Sequence, residues 1–163
     1  MAKLRLAPLD PRHPENAGVL AHLARGGGAA ELVARPSSVP DPLWGCGSHP
    51  DIVEHLWDGL GRNLPRACRA LVLGSPALLH ARAGLVLAAA LGTQYALRVP
   101  PARHAAAERA GLARRHVYRT SGDVLELAGF GSGWFLGAWS PEEPAWLLEE
   151  HARLDGPAGQ LRA

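Results

Sequence analysis

Between residues 70 and 99, four short apolar runs follow one another, and nothing else in the chain restricts its fold as tightly. The run at 70–73 ends at Gly74-Ser75-Pro76, and the run at 77–80 at Ala81-Arg82-Ala83-Gly84. The run at 85–90 ends at Gly92-Thr93-Gln94, and the fourth covers 95–99. Such runs are too short for independent helices. Glycine and proline punctuation at this spacing marks antiparallel strands joined by tight turns. The stretch 85–90 is rich in alanine, a helix former, but Leu85-Val86-Leu87 and the flanking glycines favour strand.

Helical segments flank this block. Ser48 or His49 can cap a helix that begins at Pro50 and carries Ile52, Val53, Leu56, Trp57 and Leu60 on one apolar face; Asp51, Glu54, His55 and Asp58 form its wet face. Gly61 and Pro65 end it. Pro100-Pro101 breaks the sheet before an alanine-rich helix over 102–110, stopped by Gly111. Strands are expected over 115–120, 124–128 and 134–139. Ser140-Pro141-Glu142-Glu143 is a capping box opening a final helix to about residue 154. Helices and strands therefore occur in runs. The class is α+β, a mainly antiparallel sheet of five to seven short strands flanked by three helices, in the order helix, strands, helix, strands, helix.

The expected organisation is one domain over 44–156, a loose tail over 157–163, and an irregular proline-rich arm over 1–43. The arm can hold a short helix over 15–25, and it wraps the domain or stays mobile. A chain of 163 residues with 47% apolar residues can bury a core without staples. No apolar run approaches the ~20 residues of a membrane span, and the first ten residues lack a secretory h-region, so the expected location is cytoplasmic. There Cys46 and Cys68 are free thiols.

Charge is distributed unevenly. Residues 59–119 carry ten arginines against Glu108 alone, a net of +9, whereas residues 120–163 have a net of −5 and residues 1–58 a net of −2. The basic middle could meet nucleic acid, with Tyr95 and Tyr118 stacking on bases beside Arg114, Arg115 and Arg119. It could equally be neutralised within the chain by the acidic final helix, with Glu142, Glu143, Glu149 and Glu150.

Catalytic signatures are weak. Cys46, His49 and His55 have a metal-like spacing, but six residues along a helix turn through about 600°, so the two histidines face apart. Cys46 precedes the helix by several residues and is poorly placed for activation by its dipole. Gly129-Phe130-Gly131-Ser132-Gly133 leads into an aromatic strand and not a helix, unlike a nucleotide loop. No cofactor motif occurs, and no metal is expected.

The functional expectation is therefore a non-enzymatic protein-binding module (adaptor, chaperone-like, or inhibitor or immunity protein) that holds an acidic protein partner on an Arg- and Trp-bearing sheet surface. Nucleic-acid binding, or a small enzyme centred on Cys46, are the alternatives, and a homo-oligomer is compatible with either. Strand alternation places Tyr95 and Leu97 on one face and Ala96 and Arg98 on the other, so Arg98 is expected to point out of the core. Arg82 and Arg103 extend its rim, Thr93 and Gln94 form a polar turn, and Trp134 and Trp139 lie on opposite faces of a strand apolar on both sides. Gly137 leaves a gap through which another backbone could approach.

Overall fold

The four runs at 70–99 form a meander. In the computed structural model, which describes residues 9–25, 49–117 and 121–155, they are β1 (Arg69–Val72), β2 (Ser75–Leu79), β3 (Val86–Leu91) and β4 (Gln94–Arg98). A two-stranded ribbon follows, β5 (Arg115–Val117) and β6 (Val124–Glu126), and then β7 (Trp134–Leu136). The main sheet is antiparallel with order β1-β2-β3-β4-β7. The helices are α1 (Ala17–Arg25), α2 (Pro50–Glu54), α3 (His104–Arg109) and α4 (Glu143–Asp155). The class is α+β.

Both faces of the sheet are covered, which is why β3 is buried at every position. On one face, Leu56, Leu60, Trp146 and Leu147 pack against Leu78, Leu87, Tyr95, Leu97 and Phe135. On the other, Val19 and Leu23 of α1, with Leu125, Leu127 and Phe130, cover Val72, Leu79, Val86 and Trp134. Among the described residues, no open sheet face carries the Arg- and Trp-bearing surface expected from the sequence.

Residues 9–25 pack on the core, with α1 inside the span expected for a short helix. Fully buried Asn16 donates to the Asp10 and Gly84 carbonyls at 2.7 and 2.9 Å and accepts from Val86 N–H at 2.9 Å, stitching this segment to the sheet. The helix over 50–60 is α only to Glu54. Residues His55–Leu60 form a π-helical turn, with Gly61 N–H bonded five residues back to Leu56. Glycine permits the wider coil, since a Cβ at Gly59 would lie 2.7 Å from the His55 ring and one at Gly61 would lie 2.9 Å from the Trp57 carbonyl. Finally, β7 stops at Leu136, three residues short of the expected end, and it is the last strand in the order, with Ala113 bridging to Leu136.

Candidate functional site

The register divides the expected site residues between two ends of the sheet. The β2–β3 turn, which carries Arg82, and the end of β4, which carries Arg98 ahead of Arg103, share one end. The β3–β4 turn, with Thr93 and Gln94, lies at the other. Because Arg98 pairs with Trp134 and β7 runs antiparallel to β4, Trp134 joins the first group and Trp139 the second. Five residues of strand place Thr93 and Arg98 about 16 Å apart. They do not form one surface.

At the arginine end, the expectation for Arg98 is overturned. Its side chain is 5% exposed, with Nε 3.3 Å from Glu150 of α4, itself 1% exposed, and Nη2 3.4 Å from Glu15. Glu150 also binds Arg153. Alternation correctly directs Arg98 away from Tyr95, but α4 and the segment before α1 both reach round the end of the sheet and enclose it. Trp134 is interior too, 1% exposed and edge-on to Phe130. Arg103 and Arg82 remain exposed, the first bidentate to Glu149 at 2.9 and 3.0 Å and the second 3.7 Å from Asp155. The acidic final helix thus neutralises the basic middle at three positions. Arg114 lies over the Phe135 ring at 4.2 Å, and Arg115 pairs with Glu126. Tyr95 is buried and unavailable for base stacking. Tyr118 and Arg119 lie outside the described residues.

The other end holds an aromatic cluster on a strained loop. Tyr95 donates its hydroxyl proton to Glu143 Oε1 at 2.5 Å and accepts from Trp139 N–H at 2.8 Å. The second oxygen of Glu143 accepts from Ala138 and Ser140 N–H, so the fully buried carboxylate is wrapped by the loop ahead of α4. Burial, followed by this acceptor, raises the Tyr95 pKa far above its ordinary value. The ring occupies the gap left by Gly137, where a Cβ would fall 1.8 Å from Tyr95 Cε2. A tyrosine, not a backbone, fills that space.

These bonds force Trp139 to φ 59°, a left-handed conformation that costs a bulky residue ~1–2 kcal/mol. Trp139 is 55% exposed, and its indole stacks on His55 with centroids 3.9 Å apart. His55 was expected on the wet face of its helix. It instead lies half-buried beneath Trp139 and edge-on to Tyr95, with Nε2 unpartnered. Burial lowers its pKa, with Glu143 opposing, so the ring is neutral at neutral pH. Thr93 is exposed at its turn and Gln94 half-buried, and the Gly92 carbonyl accepts from His49 N–H, tying that turn to the start of α2.

A third cluster has the composition of a metal centre. One ligand atom each from His80, His151 and Asp155 lies within 4.8 Å of the others. The hydrogen bonding of His80 opposes that use. Its Nδ1 accepts from the N–H groups of Arg82 and Ala83, so the ring proton resides on Nε2, 3.0 Å from Asp155, where a metal would need a lone pair. Cys68 is a fully buried free thiol whose pKa burial raises, a poor nucleophile. Cys46 lies outside the described residues, and His49 caps α2 through Nδ1.

No family model, curated protein or solved structure matches this chain. Among the described residues no helix is long and apolar enough to cross a membrane. Sequence reasoning singled out Trp139, and recognised Glu143 as a cap and as one of the acidic residues of the final helix, not as the acceptor for Tyr95. It missed His55 as an aromatic partner, since a helical repeat read alone puts that position in water.

Proposed function

We propose that the protein is a non-enzymatic binding module, adaptor-like or inhibitor-like, that holds a protein partner on the surface centred on Trp139. One observation carries this reading: a tryptophan stands more than half exposed in a backbone conformation that glycine adopts freely. Stability alone does not call for tryptophan there. The strain of ~1–2 kcal/mol roughly offsets the ~0.5–1.5 kcal/mol of an aromatic pair. Tryptophan is, by contrast, one of the side chains enriched among the residues that carry most of the energy of protein contacts. The acidic partner expected from the basic middle loses its main carriers, because Arg98 is enclosed and Arg82 and Arg103 are answered by Asp155 and Glu149 of α4.

The test is affinity capture, with and without nuclease treatment, with the wild type, Trp139→Gly and Arg103→Glu, alongside melting temperatures. A protein captured by the wild type and Arg103→Glu, and lost with Trp139→Gly at nearly unchanged melting temperature, supports the reading. Equal capture by Trp139→Gly refutes it, and nuclease-sensitive capture would move the function to nucleic acid.

A further inference from the structure

We propose that the group docking on Trp139 is a cationic side chain, an arginine or lysine from a basic segment of the partner. The inference rests on Trp139 being the contact surface. One face of the indole lies on His55, which leaves the other to receive a ligand. An indole face carries negative electrostatic potential and attracts ammonium and guanidinium groups. Its surroundings reinforce this. The two segments that meet at the stack, residues 49–60 and 137–146, hold Asp51, Glu54, Asp58, Glu142 and Glu143 and no arginine or lysine.

Not all of these charges are free. Glu143 is buried under Tyr95, and Asp58 pairs with Arg69 on the far strand. Glu142 is exposed, and its carboxylate is held by the Ser140 hydroxyl on the same tight turn as Trp139. That hydrogen bond lowers its pKa and keeps it ionised. Asp51 sits one helical turn before His55, and Glu54 directly before it. The neutral His55 adds no positive charge. Arg109, at the end of α3, lies two residues before Gly111, where a Cβ would fall 3.9 Å from Ala138, the neighbour of Trp139. Among the described residues, one arginine already sits over an aromatic ring, Arg114 over Phe135, on another part of the sheet. Trp139 offers the same chemistry facing outward.

The experiment is a nuclear magnetic resonance titration of the full chain with tetra-arginine, tetra-glutamate and an uncharged glycine-serine tetrapeptide. The reporter is the Trp139 indole N–H, identified by its loss in Trp139→Phe. Tetra-arginine is expected to shift it saturably, and added salt to weaken the binding. Glu142→Gln should weaken it about two- to fivefold, the range of one exposed charge pair. Arg109→Ala should leave it equal or stronger. No shift with tetra-arginine, or an equal shift with tetra-glutamate, overturns the cationic assignment. The broader reading then stands or falls separately, on Trp139-dependent capture.

Discussion

Replacing Arg98 by glutamate would set a third carboxylate between Glu150 and Glu15, in a site where the arginine side chain is 5% and that of Glu150 1% exposed. Breaking a buried ion pair by removing one partner costs ~3–5 kcal/mol, because the remaining charge is stranded away from water. Arg153 still contacts Glu150, which places the neutral Arg98→Met near the lower bound of about 3 kcal/mol. Glu15 is 42% exposed and adds little. At roughly 2–4 °C per kcal/mol for a domain of this size, Arg98→Met should lower the melting temperature by about 6–12 °C. Arg98→Glu should lower it further, since it adds repulsion. Arg103→Glu is the surface control, since its pair with Glu149 is about half exposed; it should shift the melting temperature far less. Thermal unfolding followed by far-UV circular dichroism at neutral pH measures all three. The charge swap Arg98→Glu/Glu150→Arg should recover part of the loss. A melting temperature for Arg98→Glu within about 2 °C of wild type would show that the enclosed pair is not what holds this end of the sheet.

Gly137→Ala should destabilise by about 2–3 kcal/mol in chemical denaturation, because its Cβ would fall 1.8 Å from a tyrosine ring held by Glu143 and Trp139; a loss below about 0.5 kcal/mol would mean that the ring moves aside. Asn16→Ala should cost about 2–4 kcal/mol and speed amide exchange at Val86, whose buried N–H would lose its acceptor; unchanged exchange would contradict this role. Burial is the first cause lowering the pKa of His22, His55 and His151 below 6.5. The unfolded chain therefore binds more protons than the folded one on the acid side of that value. Their contribution to stability is complete above it and is lost as pH falls through the folded-state values. The urea midpoint should decline from about pH 7 to about pH 5, less steeply in His55→Gln, and a midpoint that rises on acidification would reverse the sign.

The meander was legible in the sequence because each strand and turn is a short-range pattern. Apolar runs of strand length, with Gly74, Gly84 and Gly92 at positive φ between them, specify hairpins within a few residues of each site. The alternation of Tyr95 and Leu97 against Ala96 was right for the same reason. Tertiary structure decided what waits on each face. Arg98 is enclosed by Glu150, 52 positions along the chain, and Tyr95 is capped by Glu143, 48 along. A period-two pattern tells which way a side chain points, but not whether a carboxylate from another helix meets it there. Likewise a helical repeat places His55, whereas only the packing of Gly59 and the loop after β7 brings Trp139 over its ring. Whether an arginine becomes a core strut or a tryptophan stays in water depends on long-range contacts that form only on folding. The large aromatic left in water is Trp139, at the opposite end of the sheet from the enclosed Arg98.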